Sequence, residues 1–164
     1  HRISKLIVKK LPGTVIGKKI CILGFSFKAN TNDTRESSSI KICKDLIEEG
    51  ASLYIHDPKV LPSQIANDLG IKQNIEIKKI TGHKVLSDFE GQWCFEKDIK
   101  NACNGADAVV VLTEWIEYSK INWKEISSNM RKPAWVFDAR SIISKRKVVE
   151  ANLNLWRIGD GTIF

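Results

Sequence analysis

The sequence predicts one α/β domain built on an open, mostly parallel sheet with helices on both faces. Three observations predict it. Short apolar runs at residues 18–24, 51–56 and 106–112 have the length of strands buried on both faces. Amphipathic stretches with helical spacing separate them, which is the alternation of an α/β fold. The chain has 164 residues, 43% of them hydrophobic, enough for one sizeable core.

Residues 1–11 read as a helix, with Ile3, Leu6 and Ile7 at helical spacing and Arg2, Lys5, Lys9 and Lys10 between them. No N-cap residue precedes Ile3, so the helix is expected to continue upstream; Pro12 and Gly13 end it. The first strand closes on Gly24. After a polar loop, the spacing of Asp33 and Glu36 predicts a capping box at a helix start. Ile40, Cys43, Leu46 and Ile47 give that helix its apolar stripe, and Gly50 stands where a helix C-terminal glycine belongs. The second strand, residues 51–56, is stopped by Asp57-Pro58 and completes a βαβ unit.

Residues 59–94 carry no clear period; one helical turn, one strand and long loops are expected there. A short helix is expected over 95–104, a central strand over 106–112 around Val109-Val110-Val111, and a helix over 121–130. Two further strands are expected at 134–137 and 155–158. There is no internal repeat and no low-complexity segment.

The formal net charge of +7 is spread along the chain, which suits a single anion site better than a polynucleotide groove. No nucleic-acid or membrane partner is expected, since no apolar run reaches membrane-spanning length. Cys21, Cys43, Cys94 and Cys103 match neither a zinc site nor a CxxC pair. Cys21 and Cys43 read as small buried hydrophobes, and thiols in a chain of this size suit a reducing, cytoplasmic location. His1, His56 and His83 are too scattered for a metal site, and His56 reads as structural.

In such sheets ligands bind at the carboxyl ends of the strands. Three loops stand there: residues 25–35, 113–115 and 138–140. The first has the position of a dinucleotide-binding loop, so the sheet is Rossmann-like, but its chemistry differs. Gly24-Phe25-Ser26-Phe27-Lys28-Ala29 holds one glycine where GxGxxG would hold three. Asp57 ends the second strand as a ribose-binding acid would, yet stands farther along than the roughly 20 residues that role requires. The loop offers instead two cations suited to phosphate, Lys28 and Arg35. On the residues alone, both read equally as surface charges, and Phe27 as a core aromatic.

The string GFSFKANTNDTRESSS, residues 24–39, closely resembles the signature that opens the C-terminal domain of UDP-glucose dehydrogenases, in the UDP-glucose/GDP-mannose dehydrogenase family. KKICILG before it, DLIEEGASLYIHDPKV after it, CNGADAVVVLTEW at 103–115 and KPAWVFDAR at 132–140 resemble the same family, in the right order. The likeness is weak over residues 61–95. It implies an enzyme that oxidises UDP-glucose to UDP-glucuronate with two NAD, through a cysteine adduct and thioester. It implies that NAD is bound mainly by an N-terminal domain absent from this chain, and that a central helix joins the halves and builds an oligomer. Residues 1–13 would be the end of that helix, and 14–164 the C-terminal UDP-sugar-binding domain.

Carried over residue by residue, the resemblance puts the substrate contacts on Phe27, Lys28 and Arg140, and an arginine reaching NAD across the cleft on Arg35. Ala139 stands where the family commonly has glycine. Glu114 and Trp115 belong to the motif without an assigned contact. Gly91 to Asp98 echoes the family's catalytic cysteine stretch, but Gln92 and Trp93 break it and it lies on the wrong side of the GFSFK string. No catalytic residue and no metal ligand is therefore expected in this chain, which alone should not turn over. The rivals are the same domain acting on GDP-mannose or on a UDP-N-acetyl sugar, and a non-catalytic nucleotide-binding or assembly module.

Overall fold

The computed structural model describes residues 1–79 and 90–160; Gly82 and His83 lie outside them. Six strands form one sheet in the order β3-β2-β1-β4-β5-β6, and every neighbouring pair is parallel. The strands are β1 (Lys19–Leu23), β2 (Ser52–His56), β3 (Gln92–Phe95), β4 (Ala108–Val111), β5 (Trp135–Asp138) and β6 (Asn154–Arg157). The expected mostly parallel sheet is thus parallel throughout. Its order is that of doubly wound dinucleotide-binding folds, with the topological switch between β1 and β4.

Side chains alternate across each strand, so β1, β2 and β4 each feed two cores. On one face Ile20, Ile22, Leu53, Ile55, Val110 and Phe137 pack with residues of α1 (Arg2–Lys10), α2 (Ser38–Glu48) and α3 (Pro62–Leu69). On the other, Cys21, Leu23, Val109, Val111 and Val136 meet α4 (Ile99–Cys103), α5 (Ile116–Ser119), α6 (Trp123–Ser128) and α7 (Lys145–Glu150). Helices therefore cover both faces, as the sequence predicts. Each fully buried branched aliphatic contributes roughly 1.5–3 kcal/mol of transfer free energy. Cys21 and Cys43 are both fully buried, as small core residues. Among the described residues no helix is long and apolar enough to cross a membrane.

Four sequence expectations are corrected. The first helix is not without a cap: His1 Nδ1 accepts from the Ile3 amide at 3.2 Å. Leu6, Ile7 and Leu11 of this segment enter the main core, and Ser4 Oγ donates to Asp45 of α2 at 2.7 Å. The capping box at Asp33 does not form. Glu36 has φ +62°, which breaks any helix there, and α2 starts instead with Ser37 as N-cap, its side chain accepting from the Ser39 amide.

The helix expected over 95–104 is shorter, because Phe95 ends β3 and the helix spans Ile99–Cys103. The alternation of β3 is hidden because both of its faces are apolar: Trp93 joins one core and Cys94 the other. The helix over 121–130 is likewise trimmed to Trp123–Ser128, and α5 and α7 were not expected. Within 59–94 the structure has α3 and a 3-10 helix, Ile75–Lys79, before β3. Gly91 owes its identity to packing: a Cβ there would sit 2.0 Å from the Ile47 carbonyl oxygen. That accounts for the glycine in the 91–98 echo, whose Cys94 is fully buried.

Candidate functional site

The loops after β1, β4 and β5 converge at the switch point, where a doubly wound sheet opens a crevice. The loop after β1 begins with Gly24 at φ +99°. A Cβ there would lie 2.4 Å from the Thr113 side chain, so only glycine lets this loop cross against the end of β4. Thr113 Oγ1 then donates to the Ser26 carbonyl at 2.8 Å, Ser37 Oγ to the Phe25 carbonyl at 2.8 Å, and the Phe27 amide to the Asp33 carbonyl at 2.9 Å. The turn is held from both sides.

Asp57 is the residue that most changes the chemistry of this loop. Its Oδ2 accepts from the Phe25 amide at 2.8 Å and the Ser26 amide at 3.1 Å, and from Trp115 Nε1 at 3.4 Å. Its Oδ1 accepts from the amides of Lys59 and Val60, both at 2.9 Å. Phe25 and Ser26 carry the first loop amides, the ones a dinucleotide fold turns toward pyrophosphate. Here the chain's own buried carboxylate occupies them. The sequence spacing already argued against ribose binding by Asp57; the bonds give the reason it stands there.

The predicted residues Phe27, Lys28 and Arg140 come together. Phe27 is 38% exposed while its neighbour Phe25 is fully buried, so Phe27 is not a core aromatic. Lys28 Nζ lies 5.5 Å from the centroid of the Phe27 ring. Arg140 Nε donates to the Leu112 carbonyl at 2.9 Å, Nη1 to Glu114 Oε2 at 2.9 Å, and Nη2 to the Phe27 carbonyl at 2.8 Å. A guanidinium has five N–H groups, so each Nη keeps one unspent donor on a side chain still 32% exposed. Glu114 Oε1 accepts from the Ala29 amide at 2.6 Å. At β5, Asp138 fixes the turn, accepting from the amides of Arg140 at 3.0 Å and Ile143 at 2.8 Å.

Arg35 stands apart from this cluster. Its side chain is 87% exposed and, among the described residues, is held by Asp33 alone, through Nε at 3.1 Å and Nη2 at 2.9 Å. These bonds hold the Asp33 carboxyl low, at about 2. Three left-handed non-glycine residues, Asn30, Glu36 and Ser141, follow close behind Lys28, Arg35 and Arg140. Such residues persist only where the surroundings enforce them.

Sequence reasoning left Glu114 and Trp115 without contacts. Both prove to be structural partners of the site, one to Arg140 and the Ala29 amide, the other to Asp57. Their position at the end of the central strand was the available signal. His56, read as structural, has Nδ1 at 2.8 Å from the buried Tyr118 hydroxyl, and burial lowers its pKa.

A family model described as the UDP-binding domain of the UDP-glucose/GDP-mannose dehydrogenase family matches residues 21–145. The chain is 40% identical over 159 residues to a UDP-glucose 6-dehydrogenase of Caenorhabditis elegans, covering 97% of this chain and 31% of that protein. It is 39% identical over the same length to a UDP-glucose 6-dehydrogenase of Drosophila melanogaster, covering 97% and 32%. The chain thus spans about a third of the length of the curated relatives it matches. Among solved structures, it is similar to an NDP-N-acetyl-D-galactosaminuronic acid dehydrogenase from Methanosarcina mazei. The TM-score is 0.67 at 20% identity, over 96% of this chain and 28% of that one. At that identity the likeness speaks for the fold alone.

Proposed function

The chain belongs to the UDP-glucose/GDP-mannose dehydrogenase family, whose UDP-binding domain it matches, and we propose on that premise that it is the C-terminal UDP-sugar-binding domain of an NAD-dependent dehydrogenase oxidising UDP-glucose to UDP-glucuronate. The observation that carries the reading is the Arg140 guanidinium, held in the crevice beside Phe27 and Lys28 with a spare donor on each Nη. A compact cation and a guanidinium donor set both suit a diphosphate, and Lys28 and Arg140 supply one of each. The partly exposed ring of Phe27 offers an apolar surface to the nucleotide-sugar.

The loop after β1 does not fit the pyrophosphate of NAD. Its leading amides are spent on Asp57 and it has one glycine where three are needed. On this reading NAD, which accepts the hydride, is held mainly by the enzyme's other domain. Arg35, exposed and carrying its own counter-ion, is the group of this chain that would face it. Residues 1–13 would be the end of the inter-domain helix, and the whole enzyme a cytoplasmic homo-oligomer. The catalytic thiol would lie outside this chain, since Cys94 is fully buried in β3.

Titration calorimetry of the chain with UDP, UDP-glucose, GDP and NAD tests the proposal, with Lys28→Ala and Arg140→Ala alongside. Uridine nucleotides should bind in preference to GDP and NAD, and both substitutions should weaken them. A preference for GDP would move the chain to the GDP-mannose branch of the family. No nucleotide response, here or in the full-length enzyme, would favour an assembly module and overturn the assignment of this loop.

A further inference from the structure

We propose that Glu114 is a positioning residue of the phosphate site, a carboxylate that locks the loop after β1 and Arg140 into binding geometry before any ligand arrives. This rests on the reading of Arg140 and Lys28 as diphosphate donors. The two oxygens of Glu114 serve different segments. Oε2 accepts from Arg140 Nη1 at 2.9 Å, behind β5; Oε1 accepts from the Ala29 amide at 2.6 Å, one residue past Lys28. Arg140 closes the ring by donating to the Phe27 carbonyl at 2.8 Å. Glu114 itself sits at the end of β4, whose backbone is anchored by the Leu112 amide donating to the Leu23 carbonyl at 2.9 Å. Three loops are thus joined through one acid.

The electrostatics make the role testable. A carboxylate beside an anion site opposes anion binding through space. If Glu114 did nothing but sit there, removing its charge would tighten a phosphate ligand. If it preorganises the site, removing it takes one of three acceptors from the Arg140 guanidinium and lets the Lys28 segment loosen, and the ligand must then bear that ordering cost. The two roles predict opposite signs.

The experiment compares UDP affinity of the wild-type chain with Glu114→Gln, Glu114→Ala and the control Glu117→Gln. Glu117 is an exposed acid on α5, so its loss removes the same charge without touching the clasp. Glu114→Gln should weaken UDP about 10-fold and Glu114→Ala somewhat more, the size of one charge-assisted hydrogen bond. Glu117→Gln should leave affinity level or slightly raised.

Amide exchange is followed in the same proteins. The Ala29 amide should exchange at least about 10-fold faster in Glu114→Ala, by the same bond energy, while the Val109, Val110 and Val111 amides keep their protection and show the core intact. UDP bound by Glu114→Gln as tightly as by wild type, or an unchanged Ala29 exchange rate, overturns the proposal. If neither the wild-type chain nor the full-length enzyme binds UDP, the functional reading fails instead. The clasp is then judged on exchange alone: a slow Ala29 amide released by Glu114→Ala upholds it, and no release sinks it.

Discussion

Arg140 and Arg35 look alike in the sequence, each a cation in a loop at the carboxyl end of a strand. The structure treats them in opposite ways. Arg140 is tied to three acceptors on two other segments, Leu112 and Glu114 after β4 and Phe27 after β1, none closer in sequence than Glu114, 26 residues away. Arg35 is tied to one acceptor two residues away, and most of its side chain faces solvent. The first is rigid because moving it would break contacts across the sheet. The second makes its side-chain bonds within its own loop, to Asp33, so its guanidinium can turn without breaking a contact across the sheet. A site built on the Arg140 end spends little to order itself on binding. One built on the Arg35 end can follow a ligand or domain that approaches later. That difference suits the division proposed above, with the substrate diphosphate at Arg140 and the cofactor side at Arg35.

The sharpest way to break the comparison is to unmake the rigid end at its base. Asp57→Ala removes the acceptor of four backbone amides and leaves three of them, those of Phe25, Ser26 and Val60, buried without that partner. It should cost about 3–5 kcal/mol of stability, read as a fall in urea midpoint, and abolish UDP binding with it. An effect below about 1 kcal/mol would mean that the loop is not organised around this carboxylate. Arg140→Ala comes next. It should lower UDP affinity about 100-fold, the equivalent of two charge-assisted bonds, and leave the fold intact by circular dichroism. Arg140→Lys should recover little of this, because an ammonium cannot bridge three separated acceptors and still present a donor pair. Full rescue by lysine would reduce Arg140 to a point charge. Lys28→Ala, on the open side of the loop, should cost about 10-fold and soften as salt is raised.

The fold was legible in the sequence because its strands are short and apolar on both faces and its helices carry clean stripes. Val109-Val110-Val111 and the run from Ile20 to Leu23 could be little else. Where that contrast vanished, so did the reading. In β3 Trp93 and Cys94 feed opposite cores, so no alternation marks the strand. At Asp33 the local spacing mimicked a capping box, but the carboxylate was drawn to Arg35 and the backbone turned left-handed at Glu36. Of the candidate site, Lys28 and Arg35 stand out as loop cations from the residues alone, while Phe27 and Arg140 are reached only through the resemblance. The wiring of the site was legible in neither way. Nothing in the spacing of Glu114, Ala29 and Arg140 says that they meet, because the meeting is made by the parallel register of β1, β4 and β5.

The smallest effect is expected at the loose end, and it is the one that defines that end as loose. The hydrogen bonds from Arg35, first through its side chain and then through its amide, hold the Asp33 carboxyl near 2 against an ordinary value of 3.8. A carboxyl depressed in the fold contributes stability above its unfolded pKa and loses it as pH falls from 3.8 toward 2. Here Arg35 is mostly in solvent and Asp33 partly so, and solvent and salt screen most of that contribution. Carboxyl-carbon NMR titration should therefore find Asp33 low in the wild type and raised part of the way toward 3.8 in Arg35→Ala, whose residue-35 amide still donates to Oδ1. The urea midpoint should not move between the two proteins. An Asp33 pKa that does not rise at all in Arg35→Ala would mean that the residue-35 amide, and not the guanidinium, holds it low. A midpoint that drops would mean that Arg35 is wired into the fold as Arg140 is, and the contrast between the two ends would be gone.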